Sequence, residues 1–325
     1  MGTRKAVVIG INDYPNGANL HGAVRDAKAI SGILERNGDG SKNFDVKPYI
    51  NVKTANDLIG LVNIAFQGDH DISLLYFSGH GYADSKDTYL VTPDYQPLTP
   101  GVSMELILKT ARESGSRNNV IILDCCHSGA FGNMALFGGN AAVIYQGMTI
   151  LTASKSNELS WEVNGMGVFT NLLLRALEGG AADIQGNITP GSIYAYVDQA
   201  LGAFDQRPVF KTNVTKFTPL RKAKPPIDLD VLLKIKNYFP DPNKDRPLDP
   251  SYEKTNSKEE LHLLLEPYAD PEKVAVFQDL QQFASLGLVV PVDTPHMYYA
   301  AMLSKSCRLT PLGLHYWSLV DRGRL

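Results

Sequence analysis

Two short segments of the sequence place reactive side chains among glycines, each at the end of an apolar run. The first is YFSGHG at residues 76–81, and the second is DCCHSG at residues 124–129. A neutral imidazole such as that of His80 can take the proton of a neighbouring thiol, and the thiolate then attacks a carbonyl carbon. A backbone N–H beside a glycine can stabilise the developing oxyanion. The two segments therefore predict nucleophilic catalysis by a cysteine and a histidine.

The elements around these segments alternate between short apolar runs and helical patterns. Such alternation predicts an α/β domain with a mainly parallel sheet flanked by helices, in which reactive groups gather at the carboxyl ends of the strands. The predicted strands are Lys5–Ile11, Ile72–Phe77, Val120–Leu123, Met148–Thr152 and Lys211–Thr218. The predicted helices are Ala23–Arg36, Thr54–Phe66, Met104–Arg112, Phe169–Leu177 and Ile193–Ala203.

The two segments resemble the active-site motifs of the caspase-like peptidases, nearest to the metacaspases and their prokaryotic relatives, the orthocaspases. The separation of 46 residues between His80 and Cys126 also suits this family. The resemblance covers residues 3–220 and implies a caspase-like fold. It implies that Cys126, which directly precedes the His-Ser-Gly, is the nucleophile, that His80 is the base and then the acid, and that Gly81 contributes to the oxyanion site. Cys125 is then interpreted as a small side chain packed in the strand.

The resemblance also implies a specificity pocket. Metacaspases hold a basic side chain at P1, the substrate residue before the scissile bond, and the acidic residues map onto Asp26 and Asp124. Two carboxylates can bind a guanidinium group through paired hydrogen bonds. The predicted substrate is a protein or peptide with Arg or Lys at P1. The alternative is that Asp26 only caps or pairs on its own helix, where Arg25 is its neighbour.

No metal or cofactor is expected from the sequence. The three cysteines have no zinc-ligand spacing, and the segment from Gly81 to Tyr95 holds only Asp84, Asp87 and Asp94 as acidic residues. A hard cation such as calcium requires six or more oxygen ligands. The formal net charge of -3 gives no reason to expect nucleic acid or an anionic membrane as a partner. No apolar run reaches the length of a membrane span, so a cytoplasmic protein is expected.

The sequence changes character after residue 222. We predict a caspase-like peptidase domain at 1–222, an exposed linker at 223–227 and a small α+β winged-helix-like domain at 228–325. The predicted elements of the last part are helices at Leu229–Tyr238, Leu261–Leu265, 270–284 and Leu312–Val320, and strands at Leu288–Val292 and Ser306–Thr310. From Pro225 onward 11 Lys or Arg face 14 Asp or Glu, which argues against DNA and favours a protein regulator as partner.

The sequence thus predicts a cysteine endopeptidase that cleaves after Arg or Lys, with a role in regulated cell death or antiphage defence implied by the resemblance. One alternative is a catalytically silent scaffold, and another is acyl transfer to a non-peptide substrate. Residues 127–147 contain no Lys, Arg, Asp or Glu, so self-cleavage there is not expected. Arg221 and Lys222 are the predicted sites of any self-cleavage, because an exposed linker can enter a protease cleft.

Overall fold

The computed structural model describes residues 2–83, 87–96, 99–125, 144–153, 162–163, 166–201, 208–257 and 264–325. They form two compact units, Met1–Lys224 and Pro225–Leu325. Two residues singled out from the sequence, Asp84 and Cys126, lie outside the described residues, and so does most of the helix predicted at 261–265.

The first unit is built on a central sheet whose strands are mostly parallel. The described strands of the first unit, inside and outside the central sheet, are β1 (Arg4–Gly10), β2 (Asp45–Ile50), β3 (Ile72–Gly79), β4 (Gly81–Ala83), β5 (Thr88–Leu90), β6 (Val102–Ser103), β7 (Asn118–Cys125), β8 (Met148–Thr152), β9 (Glu162–Val163), β10 (Met166–Gly167), β11 (Asn187–Ile188), β12 (Val209–Asn213) and β13 (Arg221–Lys222). The strand order of the central sheet is β12-β8-β7-β3-β1-β2, and β12 alone runs antiparallel to its neighbour. The predicted α/β class with a mainly parallel sheet is confirmed.

Helices cover both faces of this sheet. They are α1 (Ala23–Glu35), α2 (Ala55–Phe66), α3 (Met104–Arg112), α4 (Val168–Arg175) and α5 (Pro190–Ala200), and a π-helical turn at Ala176–Gly180 follows α4. Alternate strand residues point to opposite faces. Leu75 and Ile121 therefore pack with α2 and α3, while Leu74 and Val120 pack with α1, α4 and α5. The helices therefore bury the central strands on both faces of the sheet.

The sequence did not predict β2, which forms an edge of the central sheet. Its sequence DVKPYI contains Pro48 and has no buried residue. An edge strand tolerates proline because one side of it makes no ladder hydrogen bonds. The sequence pattern of β2 therefore lacks the apolar signal on which strand prediction depends.

The exposure expected around Arg221 is wrong for Arg221 and Ala223, whereas Lys222 and Lys224 are exposed as predicted. Arg221 and Ala223 are buried, and β13 pairs with β11. The Arg221 guanidinium donates to the carbonyl groups of Ile33, Arg36 and Leu177 at 3.1, 2.9 and 2.7 Å. Carbonyls at helix ends carry partial negative charge and attract a cation. Arg221 is therefore held inside the fold, and self-cleavage at this residue is not supported.

The second unit contains short helices and a small antiparallel sheet. Its described elements are α6 (Leu229–Leu233), α7 (Ile235–Tyr238), β14 (Arg246–Pro247), a 3₁₀ turn at Pro250–Tyr252, α8 (Pro271–Ser285), β15 (Val289–Val292), α9 (Met297–Met302), β16 (Ser306–Leu309) and α10 (Pro311–Asp321). The strand order is β14-β16-β15. The two predicted strands and the helix at 270–284 are confirmed, whereas β14 and α9 were not predicted. No helix among the described residues has the length and apolar character needed to span a membrane.

Candidate active site

The two sequence segments leave the central sheet side by side. In the parallel pair of β3 and β7, Ser78 lies opposite Asp124 and Gly79 lies opposite Cys125. The next residue of the first strand is His80. Cys126, one peptide bond beyond Cys125, lies outside the described residues. Cys125 is buried and belongs to the hydrophobic core, as expected for a packed side chain.

The His80 imidazole is oriented by a backbone carbonyl. Its Nε2 atom lies 2.7 Å from the carbonyl oxygen of Ala18. A carbonyl only accepts hydrogen bonds, so Nε2 carries the hydrogen in the neutral ring and Nδ1 is left as the basic nitrogen. In this tautomer the imidazole can act as a general base through Nδ1.

Tyr14 holds His80 from a second direction. The His80 backbone N–H donates to the Tyr14 hydroxyl at 3.0 Å, and the two rings meet edge to face with centroids 4.5 Å apart. The hydroxyl in turn donates to the Val91 carbonyl at 3.2 Å. Burial raises the pKa of the buried Tyr14 phenol well above its ordinary value, so the hydroxyl keeps its proton.

The loop between β1 and α1 carries both Tyr14 and Ala18, and side-chain amides fix its shape. Asn51 accepts from the Asn12 N–H at 2.8 Å, and Asn12 accepts from the Val24 N–H at 3.0 Å. The loop turns at Asn16 and Gly17, which have φ values of 59° and 78°. This left-handed conformation brings the Ala18 carbonyl towards His80.

Asp26 and Asp124 converge on one small volume. Asp26, on α1, is buried and accepts from the Ser78 hydroxyl at 3.2 Å. Asp124 accepts from the Thr170 hydroxyl at 2.6 Å. A Cβ atom built on Gly167 would lie 2.6 Å from an oxygen of Asp124 and 3.3 Å from an oxygen of Asp26. The two predicted pocket carboxylates therefore face the same point, and Asp26 does more than cap its own helix.

The amino-terminal end of α4 stabilises this acidic pair. The N-cap residue Gly167 directs its N–H at the Asp26 carboxylate at 3.4 Å, and Thr170 lies in the first turn. The positive end of a helix dipole favours nearby negative charge. Burial nevertheless raises the pKa of Asp124 above its ordinary 3.8, against the lowering effect of the Thr170 hydrogen bonds. Burial, together with the charges of Asp124 and Asp26, also raises the pKa of Tyr76.

Sequence reasoning missed several residues of this site. They are Tyr14, Ala18, Ser78, Gly167 and Thr170. Ser78 carried a signal, since a hydroxyl two residues before His80 is unusual in an apolar strand. Ala18 acts through its backbone carbonyl, Gly167 through the absence of a side chain, and Tyr14 and Thr170 through one hydroxyl each. No rule of sequence spacing identifies such groups. Gly81, predicted for the oxyanion site, begins β4 opposite Leu90.

A family model for the caspase domain matches residues 3–218. The match covers more than half of the chain, so the chain belongs to the caspase-domain family, that of the C14 peptidases. The expected caspase-like fold is thereby confirmed, with a mixed, mostly parallel central sheet flanked by helices. Membership in this family supports cysteine peptidase activity on protein substrates.

The individual proteins that resemble this chain share limited sequence identity with it. Metacaspase-1 of Eremothecium gossypii is 30% identical over an alignment of 148 residues, with coverage of 40% of this chain and 32% of that protein. The chain thus matches about a third of the length of this curated relative. A protein from Geobacter sulfurreducens is 18% identical with a TM-score of 0.49, covering 69% of this chain and 98% of its own. Caspase-1 from Spodoptera frugiperda is 14% identical with a TM-score of 0.47, covering 68% of this chain and 91% of its own.

Proposed function

We propose that the protein is a cysteine endopeptidase that hydrolyses peptide bonds after Arg or Lys, with Cys126 as nucleophile and His80 as acid and base. The observation that carries this proposal is the convergence of Asp26 and Asp124 on one point beside the strand that ends directly before His80. Two carboxylates in a partly desolvated cleft favour a cationic side chain and disfavour an anionic one.

The proposed reaction uses one thiol and one imidazole. The Nδ1 atom of His80 takes the thiol proton of Cys126, and the thiolate sulfur bonds to the scissile carbonyl carbon. The amides of Gly81 and Cys126 stabilise the oxyanion. When the C–N bond breaks, the imidazolium returns the proton to the leaving amine. Water then hydrolyses the thioester with His80 again as base, which releases the acid and regenerates the thiol.

The hydrogen bond from Nε2 to the Ala18 carbonyl supports this role for His80. It is present in both protonation states of the ring, so the imidazole can gain and lose a proton at Nδ1 without turning. The parallel register of Gly79 and Cys125 supports Cys126 as the partner, since each candidate residue directly follows one member of that pair.

A panel of matched peptides tests the proposal. Four fluorogenic peptides that differ only at P1, carrying Arg, Lys, citrulline or Asp, are offered to the full chain and to Cys126→Ala. Arg and Lys peptides should be cleaved at least a hundredfold faster than the isosteric but neutral citrulline peptide, and Asp peptides should not be cleaved. Faster cleavage after Asp or citrulline would overturn the specificity. No peptide cleavage at all, with an intact fold, would favour a scaffold or acyl transfer to another substrate.

We further propose that Pro225–Leu325 is a winged-helix-like interaction domain that binds a protein regulator. The three-stranded antiparallel sheet and its surrounding helices support this assignment, and the excess of acidic residues argues against nucleic acid. We also propose that regulated cell death or antiphage defence is the setting. Peptidase activity measured with residues 225–325 present and deleted tests the regulatory role, because a regulator that binds this part should alter the rate only of the full chain.

A further inference from the structure

Three tyrosines form an aromatic cluster immediately after His80. The Tyr82 ring lies 6.2 Å from the Tyr89 ring and 6.4 Å from the Tyr95 ring, measured between centroids. Tyr82 is 39% exposed and Tyr95 is 41% exposed. Within the described part of the first unit, Ile64 is the only other large apolar side chain that is exposed. The exposed tyrosines of this cluster are therefore unusual, because the other large apolar side chains described in the first unit, apart from Ile64, are at least partly buried.

The cluster shares a face with the catalytic imidazole. The His80 carbonyl accepts from the Val91 N–H at 3.0 Å, so the antiparallel ladder of β4 and β5 extends back to His80. In such a ladder, residues two apart point to the same side. Tyr82 therefore lies on the side of His80, and Tyr89 lies directly opposite Tyr82.

The order of residues along this stretch indicates which part of a substrate would meet the tyrosines. Ser78 donates to Asp26, His80 follows two residues later, and Tyr82 follows after two more. Along the chain, Ser78, which contacts the carboxylate of Asp26, precedes His80, and the tyrosines follow it. A peptide with its basic side chain at the carboxylates and its scissile bond at His80 continues towards the tyrosines.

We propose that Tyr82, Tyr89 and Tyr95 form a subsite for a bulky apolar or aromatic side chain within the first three substrate residues after the scissile bond. This inference rests on the proposed peptidase function and extends it to the leaving-group side. Aromatic faces bind apolar side chains through contact area and ring geometry. Among the described residues of this stretch, the acidic side chains of Asp87 and Asp94 accept from the backbone N–H groups of Glu105 and Ala55, and the tyrosine rings are then expected to select the side chain.

Two quenched fluorescent peptides test this subsite. Both carry Arg at P1, and they differ in having either Phe or Gly at the two positions after it. In the wild type, kcat/KM for the Phe peptide should exceed that for the Gly peptide roughly tenfold. Tyr82→Ala and Tyr95→Ala should bring this ratio close to one. Tyr82→Phe, which keeps the ring, and Ile64→Ala, which removes the other exposed apolar side chain, should retain it.

The outcomes separate this inference from the proposed function. A wild-type ratio near one overturns the subsite while cleavage after Arg stands. An unchanged ratio with lower overall activity in Tyr82→Ala also overturns it, since the residue would then act only on structure. If the wild type cleaves neither peptide, both are measured for binding to Cys126→Ala by fluorescence anisotropy. Tighter binding of the Phe peptide that is lost on adding Tyr82→Ala would support the subsite without the peptidase, and equal binding would overturn both.

Discussion

The backbone N–H of His80 donates to the Tyr14 hydroxyl at 3.0 Å, while the two side-chain rings meet edge to face. One residue thus fixes both the main chain and the ring of the predicted base. Because Tyr14 belongs to the same loop as Ala18, the whole orientation of His80 depends on the segment between β1 and α1.

Tyr14→Phe keeps the ring contact and removes the hydroxyl. The His80 N–H then loses its acceptor, and the free energy of unfolding should fall by about 1–3 kcal/mol. A looser imidazole should lower kcat several-fold with little change in KM, since the effect lies on the base rather than on substrate binding. Urea unfolding and steady-state kinetics measure the two effects. Tyr145→Phe is the control, because among the described residues its hydroxyl accepts from the exposed Arg112. An unchanged kcat in a destabilised Tyr14→Phe would refute the positioning role.

Gly17→Ala tests the loop that presents the Ala18 carbonyl. Gly17 has a φ of 78°, and a Cβ there would meet no atom within 4 Å, so any cost comes from the backbone alone. We expect a loss of about 1 kcal/mol of stability and a lower kcat, because relaxation of the loop moves the carbonyl away from His80. Gly32→Ala, within α1 and equally open, should instead gain roughly 0.5–1 kcal/mol and leave activity unchanged. Equal activity in the two variants would show that the Ala18 contact is dispensable.

Asp124→Asn measures how much the buried charge of Asp124 lowers the stability of the fold, apart from its proposed role in binding the substrate. The native pKa of Asp124 lies above the ordinary 3.8, so ionisation of this carboxyl opposes folding at neutral pH. Removing the charge should raise the melting temperature of the first unit by roughly 2–4 °C at pH 7. The gain should vanish as the pH falls through the native pKa to 3.8, where the wild-type carboxyl is also neutral. Calorimetry at a series of pH values measures this difference.

The same carboxyl should shape the pH dependence of specificity. As the pH falls through the raised pKa of Asp124, the pocket loses negative charge. The ratio of cleavage after Arg to cleavage after citrulline should therefore fall at a pH above the ordinary carboxyl range. Any effect of pH on the catalytic step that the two substrates share cancels in this ratio. In Asp124→Asn the ratio should be low, and a wild-type ratio independent of pH would remove Asp124 from the pocket.

The paired cysteines offer an internal control for the nucleophile. Cys125 is buried in the core at the end of β7. Cys125→Ala should retain most activity and lose at most about 1–2 kcal/mol of stability, because a small apolar side chain is truncated. Cys126→Ala should lose nearly all peptidase activity. The intact masses of the wild type and of both variants, after treatment with an Arg chloromethyl ketone, together show which cysteine is alkylated. Labelling that survives in Cys126→Ala and disappears in Cys125→Ala would reverse the assignment.

The fold and the places where the two motif segments leave the sheet could be predicted, because their causes are local in sequence. Buried strands require unbroken apolar runs, and β3 and β7 end directly before His80 and within the cysteine segment. The partners of these residues could not be predicted in this way. Thr170 reaches Asp124 across 46 residues of sequence, and Ala18 reaches His80 across 62. Such contacts follow from helix packing and loop shape, which leave no periodic pattern.

The segment after residue 220 shows a different limit of prediction from sequence. Basic residues followed by two prolines have the composition of a solvated linker, yet Arg221 is held by three carbonyl groups. Composition describes the average environment of a residue type, whereas burial of this guanidinium depends on where two helices end. The proposed division of labour between the two units stays a prediction, and Arg221 belongs to the fold of the first unit.

Gly167 offers a genetic tool. Its φ of -59° suits any residue, so alanine would fit the backbone, while the added methyl group would lie 2.6 Å from an oxygen of Asp124. Because a contact of 2.6 Å is too short, Gly167→Ala would force the Asp124 carboxylate to shift and so disturb the acidic pair, while Cys126, His80 and both aspartates keep their identity. In cells, such a separation-of-function allele would distinguish phenotypes that require cutting after basic residues from phenotypes that require only the presence of the folded protein.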